Sequence, residues 1–476
     1  MTFRQMPRLL VLLLAGSLAL GCSQNPINQG PFVSDFNGEN APEGQIGSTV
    51  LAEGLNYGTV PDSLVFSSQF GTGIPASVIT WLDSYIVGTI PPGSVGGTAY
   101  VSTVGGSSAA IVFAINPQDS FPGSFTWRAG TALPVAVSGA GVTYAALEQA
   151  TSTVRAVYVT GGADNSGNPT SAVYFATIDA LGNLSAWKTT TPLPKALAFH
   201  GIVAPTTSNS LIQNSLGSLL VMGGTTDRAG TASSAIYQGV LNGDGSVASW
   251  TQLGITLPAP LHSFGTAINF DDIYVVGGAT TGNAPVSTVY RAVLQNTGQP
   301  ISWHTEAALP KARSHLGVGF YGLTLYAVGG DSGVATPNDS AGATAVSEVD
   351  YAAIDPYLRV LGTGWVVSQQ TLPGGRSGLS ALGAGAPGAA AVTVTGGLYS
   401  GAASGSSEEN YLSLSITGSV LSSAAGSASI NSLCGCNLFN SGSTGYRDGN
   451  RNYHLLVVGG DDVNSPGTKH AQTFLY

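Results

Sequence analysis

Short aliphatic runs that close on paired glycines recur seven times: AYVSTVGG (Gly105-Gly106), AVYVTGG (Gly161-Gly162), LLVMGG (Gly223-Gly224), IYVVGG (Gly277-Gly278), LYAVGG (Gly329-Gly330), VTVTGG (Gly396-Gly397) and LLVVGG (Gly459-Gly460). Each is followed by a polar loop and a second apolar run, such as TSAVYFATI, SSAIYQGVL or VSTVYRAVL. Runs of this length, rich in Val, Ile and Tyr and bounded by turn residues, predict β-strands. No helical period holds over a useful length. A repeat of 52 to 67 residues leaves room for four short strands with their loops.

Two further marks fall in register. After most second runs comes a tryptophan (Trp127, Trp187, Trp250, Trp303, Trp365), then Leu-Pro (Leu133-Pro134, Leu193-Pro194, Leu257-Pro258, Leu309-Pro310, Leu372-Pro373). Gly-Gly at a strand end permits positive φ and close backbone approach. The indole suits the wedge between neighbouring sheets, and proline fixes φ in the connection. The order Gly-Gly, aromatic strand, Trp, Leu-Pro, then a basic residue and His (LPKARSH, ending at His315) resembles the kelch repeat. It is also similar to the propeller domain of galactose oxidase. The resemblance covers roughly residues 63 to 476 and implies an all-β, kelch-like β-propeller of seven four-stranded blades.

Closure follows from the ends of the chain. The last copy stops at Tyr476 with no outer tryptophan strand, whereas SLVFSSQFGTGIPASVITW (Ser63 to Trp81) matches STVYRAVLQNTGQPISW (Ser287 to Trp303). The expectation is that the N-terminal Trp81 strand completes the last blade and closes the ring, since an open array leaves strand edges unpaired. The alternative is an eighth blade begun by TVLAEG (Thr49 to Gly54).

The N-terminus carries a separate signal. Arg4 and Arg8 precede an apolar run of 12 residues, Leu9 to Leu20. That is too short to span a bilayer and suits the core of a signal peptide. Ala19 to Cys22 (Ala-Leu-Gly-Cys) resembles the lipobox of bacterial lipoproteins. The resemblance implies cleavage after residue 21, diacylation of Cys22 and an envelope-anchored protein. Ser23 points to the outer membrane, and a secreted or periplasmic soluble protein is the alternative. Residues 22–48 read as a polar tether, and 49–476 as the propeller.

Composition narrows the partners. Charged residues make up 8% of the chain, net charge is −10 and the pI is near 4.9. There is no basic field for nucleic acid. Fold analogy places ligands on the face formed by the loops after Gly-Gly and between blades. Its candidates are Arg313, Arg376, His315, His262, His200, Asp331, Asp227 and Arg228. Arg313 and Arg376, each three residues after a Leu-Pro proline, form the sharpest pair.

No dinucleotide, Walker or zinc-protease motif is present, and no catalytic residue is assigned. LNGDGS (Leu241 to Ser246) aligns with hairpin turns and lacks EF-hand ligand spacing. GGDDVNSPG (Gly459 to Gly467) is a weaker calcium candidate. No Cys–Tyr–His set matches the copper site of galactose oxidases, so no cofactor or metal is expected. Cys434 and Cys436 are a candidate disulfide in an oxidising compartment. The leading expectation is a protein- or glycan-binding scaffold module rather than an enzyme. The alternative is a carbohydrate-active enzyme, similar to kelch-type sialic-acid mutarotases or to a lyase.

Overall fold

The computed structural model describes residues 30–36, 42–116, 127–149, 152–205, 217–269, 272–294, 298–334, 344–355, 360–362, 364–384, 391–399, 408–414, 419–429, 431–434, 436–450, 452–462, 465 and 468–475. These fall into two compact units, the first ending at Ile115 and the second running from Asn116. The residues read as a signal peptide, and Cys22, lie outside the described residues.

The first unit is a pair of antiparallel sheets. One orders Phe32–Phe36, Thr49–Leu55, Tyr85–Thr89 and Ser77–Trp81. The other orders Glu43–Gln45, Ile111–Asn116, Ser94–Thr103, Ser63–Ser68 and Ile74–Pro75. Their inner faces share a core built on Phe36, Phe66 and Phe113, with ring centroids 5.1–6.4 Å apart.

This corrects three expectations. Within the polar stretch read as a tether, Phe32–Phe36 and Glu43–Gln45 are strands, because Val33 and Phe36 reach the core. The strands around Ser63 and Trp81 pair inside this unit and close no blade. Thr49–Leu55 likewise pairs here and starts no eighth blade.

The second unit holds six four-stranded antiparallel sheets among the described residues. Their first strands are Gly141–Glu148, Gly201–Val203, Gly265–Asn269, Gly317–Tyr321, Ser380–Ala384 and Gly442–Arg447, and they define blades 1 to 6 in that order. Each first strand contacts the first strand of the next blade, and that of blade 6 contacts blade 1. Blade 6 runs Gly442–Arg447, Tyr453–Val458, Thr473–Leu475, and takes its outer strand from Arg128–Ala129. An N-terminal strand does close the last blade, but it follows Trp127 rather than containing Trp81.

The core lies between blades. One apolar cluster joins blades 1 and 2 through Tyr158, Phe175, Leu219 and Val221. Others join 2 to 3, 3 to 4, 4 to 5 and 6 to 1, and Leu382 of blade 5 packs on the cluster of blade 6. Burying each aliphatic side chain there stabilises by roughly 1.5–3 kcal/mol. The tryptophans bridge the same boundaries. The indole N–H groups of Trp187, Trp250 and Trp365 donate to the carbonyls of Thr131, Thr191 and Ala307, at 2.8, 2.9 and 2.8 Å. Each acceptor lies two residues before the leucine of the preceding Leu-Pro.

The glycine pairs explain the blade count. In the six pairs from Gly161-Gly162 to Gly459-Gly460 both residues have positive φ. The second N–H of each pair donates across the blade boundary, from Gly162 to Leu197 O and onward around the ring to Gly460 donating to Val137 O at 2.8 Å. A Cβ on the first glycine would strike that same carbonyl, at 2.3 Å for Gly161 and 2.5 Å for Gly459. Gly105-Gly106 departs from this pattern. Its Gly106 sits in an exposed hairpin of the first unit. The seven sequence copies are therefore six blades and one unrelated turn.

Candidate functional site

Six residues, one from each inter-blade connection, meet at the axis of the ring: Gly139, Phe199, Ser263, His315, Gly378 and Asn440. All have left-handed backbone, with φ between 51° and 65°. Their peptide groups form a closed cycle. Phe199 N donates to Gly139 O (2.7 Å), Ser263 N to Phe199 O (2.8 Å) and His315 N to Ser263 O (2.8 Å). Gly378 N donates to His315 O (2.9 Å), Asn440 N to Gly378 O (2.8 Å) and Gly139 N to Asn440 O (2.8 Å). The segments on either side are tied by reciprocal pairing with the residue after each Gly-Gly, such as Ser138 with Ala163 and Ser314 with Asp331. Connection loops and post-glycine loops thus share one face, as expected.

Three of the four side chains of this column, Phe199, Ser263 and His315, form one chain of contacts. The Phe199 ring meets the His315 ring edge to face at 5.7 Å and covers Gly139, where a Cβ would lie 2.6 Å from it. Ser263 Oγ lies 2.9 Å from His315 Nε2 and 3.0 Å from His262 Nδ1. His315 Nδ1 lies 3.1 Å from Ser314 Oγ. This makes an imidazole–hydroxyl chain, His262–Ser263–His315–Ser314. Ser263 and His315 keep 6% exposure, whereas His262 and Ser314 are fully buried. Burial pushes the His262 imidazole down to about 4, against an upward pull from the Thr280 backbone and Asn283, so it is neutral at neutral pH.

On the opposite side of the axis, blade 6 meets blade 1 through charge. Lys469 Nζ donates to Asp461 Oδ1 and Ser138 Oγ, both at 2.6 Å, and Asn440 Nδ2 donates to Asp461 Oδ2 at 3.3 Å. The ion pair is nearly dry, with side-chain exposures of 4% and 6%.

The residues expected on the ligand face separate into three groups. His315 and His262 belong to the axial chain. Arg313 and Arg376 occupy equivalent places, but both are fully buried. Arg313 Nη1 donates to Gly329 O (3.0 Å) and Glu348 O (3.3 Å), and Nη2 pairs with Asp350. Arg376 Nη1 donates to Gly396 O at 3.0 Å beneath the Tyr399 ring. Both fasten a connection to the glycine pair of its own blade, so they are structural pins rather than ligand contacts. His200 is also interior. It bonds Thr160 Oγ1 at 2.8 Å and is held near pKa 4 by burial.

Asp331 is buried and accepts from Gly333 N at 3.0 Å and from the Thr344 hydroxyl. Only Asp227 and Arg228 are exposed on a loop. Asp227 is occupied as a turn acceptor for Thr231 N at 3.0 Å. The LNGDGS segment is a hairpin turn as expected, with Asp244 capping Ser246 N at 2.9 Å. In the other calcium candidate, Asp461 is bonded to Lys469 and Asn440, and Asp462 accepts from Asn437 N at 3.2 Å. Cys434 and Cys436 are joined as a disulfide.

Sequence reasoning missed Phe199, Ser263 and Asn440, which look unremarkable one at a time. The signal was positional. Gly139, Phe199, Ser263, His315 and Gly378 each lie six residues beyond the leucine of a Leu-Pro. In blade 6 the corresponding place is Cys434, so the disulfide stands where the other connections carry Leu-Pro.

No family model matches the sequence, and no curated protein does so. Among solved structures, YjhT is similar, with a TM-score of 0.50 at 14% identity over 72% of this chain and 95% of YjhT. The fold is a β-propeller. At this level of identity the likeness extends to architecture and no further.

Proposed function

We propose that this protein is an exported, membrane-anchored binding module that takes a neutral, hydroxyl-rich ligand of glycan type at the axial mouth of its propeller. The axial column carries the reading. Glycine fits a left-handed position freely, and does so at Gly139 and Gly378. Phe199, Ser263, His315 and Asn440 hold the same conformation, at a cost on the order of 1 kcal/mol each. A purely structural ring is served better by six glycines. What the four residues add is an aromatic face beside an imidazole and a hydroxyl, with a carboxamide across the axis. That set gives an apolar surface for sugar C–H groups and hydrogen bonds of both polarities for hydroxyls.

The test is retention on a panel of immobilised neutral glycans. Wild-type protein binds at least one, and Phe199→Gly, which relieves the backbone while removing the ring, weakens that binding at least tenfold. Equal binding by the variant removes the reading. The export and anchor part rests on the N-terminal sequence and is tested by fatty-acid labelling in bacteria. Label is incorporated by the whole chain and absent from Cys22→Ser.

The imidazole–hydroxyl chain favours a second reading, a carbohydrate-active enzyme of the mutarotase or lyase kind, since it puts acid–base groups at the same mouth. Sugar NMR with wild type and His315→Asn separates the two. Anomer exchange accelerated by the wild type and lost in the variant supports the enzyme.

A further inference from the structure

We infer that Ser263 is a nucleophile with His315 as its general base, giving the propeller mouth an acyl-transfer activity toward esters of neutral hydroxyl compounds. This deepens the ligand reading above, because the substrate class rests on the neutral ligand proposed for the same axial column.

Four features converge on Ser263. Its Oγ lies between two imidazole nitrogens, His315 Nε2 at 2.9 Å and His262 Nδ1 at 3.0 Å. The base is itself oriented, with His315 Nδ1 at 3.1 Å from Ser314 Oγ, so a nucleophile, a base and a third positioning group stand in sequence. The serine backbone is left-handed, with φ 52°, in a connection where two equivalents are glycine. Ser263 and His315 each keep 6% exposure, while His262 and Ser314 have none.

In the tautomer that carries the His315 proton on Nδ1, toward Ser314, Nε2 accepts the Ser263 proton. Burial keeps His262 neutral at neutral pH, so it adds no positive charge beside Ser263. Ser138, a buried serine beside Lys469, differs in kind. Its partner Lys469 is already paired with Asp461 and is no base.

The step balances without a co-reactant beyond water. Ser263 Oγ bonds to the acyl carbon while its proton passes to His315 Nε2. The ester C–O bond breaks, and the leaving alkoxide takes the proton from His315 and departs as an alcohol. Water then attacks the acyl-serine, giving its proton to His315. Release of the carboxylic acid returns the proton to Ser263.

The test uses the whole chain and a fluorophosphonate probe, which reports an activated serine whatever the natural ligand is. Intact mass and peptide mapping are expected to show one phosphonyl adduct, on Ser263. Ser263→Gly, which suits the positive φ and keeps the fold, takes no adduct. His315→Asn, a residue that tolerates the same backbone, labels at least 100-fold more slowly. Circular dichroism confirms that both variants are folded. No adduct on Ser263 under conditions that label a control serine hydrolase overturns the inference, and so does an unchanged rate in His315→Asn. Loss of the glycan result with labelling intact sinks the ligand reading alone.

Discussion

Arg313→Met is the sharpest test of how the connections are held. Methionine keeps the length of the apolar stem and removes the guanidinium. In the native protein that group is fully buried and donates to Gly329 O, Glu348 O and Asp350, whose side chain is 2% exposed. Removing one partner of a buried pair leaves the other charge unsolvated, which costs about 3–5 kcal/mol. At 1.4 kcal/mol per tenfold, amide protection in blade 4, over Thr324–Val328 and Val349–Ala353, falls by about 10² or more. Local exchange is the right measurement because the chain has two units and need not unfold in one transition.

The double variant Arg313→Met/Asp350→Leu removes both charges and recovers most of the loss, leaving about 1–2 kcal/mol for the two orphaned carbonyls. The single variant also has a pH signature. Burial raises the Asp350 carboxyl and Arg313 opposes that rise. Without Arg313 the folded-state pKa stands further above the unfolded one. The defect is therefore small below the unfolded pKa, where both states are protonated. It grows as pH rises through the folded pKa. A loss of protection under tenfold at neutral pH refutes the structural assignment, as does normal protection with ligand binding abolished.

Other outcomes follow from the same geometry. Lys469→Met opens the polar seam between blades 6 and 1 and lowers stability by about 3–5 kcal/mol, read as a loss of amide protection in Tyr453–Val458. Gly277→Ala adds a Cβ 2.6 Å from Arg313 O at φ 61° and destabilises by at least about 2 kcal/mol in denaturant titration, whereas Gly254→Ala, with open space around it, is near neutral. His200 is held near pKa 4 by burial, below its unfolded value, so the stability it contributes is present above the unfolded pKa of about 6.5 and is lost as pH falls toward 4. The loss is on the order of 3 kcal/mol at full titration, and an acid titration followed by tryptophan fluorescence shows it flattened in His200→Gln.

Much of the ring was legible in the chain because its determinants are local. A glycine pair, an indole and a Leu-Pro each act within one strand or turn, and six copies keep one register. What was illegible depends on pairing over distance. Gly105-Gly106 has the same letters as the other pairs, but no following connection brings a carbonyl against it. The Ser63 to Trp81 segment resembles an outer hairpin of a blade, yet its strands find partners at Ser94–Thr103 and Tyr85–Thr89 within the first unit. Two residues, Arg128 and Ala129, do the closing, too few to carry a pattern. Arg313 read as a loop cation because its carboxylate, Asp350, lies 37 residues away on another strand. Among site residues, the histidines stood out by chemical type, whereas Ser263 and Phe199 acquire meaning only from a shared backbone conformation.

The cycle of six backbone hydrogen bonds at the axis has a direction. Every N–H points back toward the preceding blade, and the Gly139 bond to Asn440 carries that sense across the chain ends. Such a cycle has no terminal member, so blade number is quantised. Losing or gaining one blade by unequal duplication leaves an unmatched donor on one side of the gap and an unmatched acceptor on the other. A viable change must carry a complete set at once: the left-handed axial residue, the glycine pair that faces it and the carbonyl between them. Point substitutions are free to exchange the side chains at the axis, four of which are already unlike one another. The ring therefore fixes its own arithmetic while leaving the chemistry at its centre open to replacement.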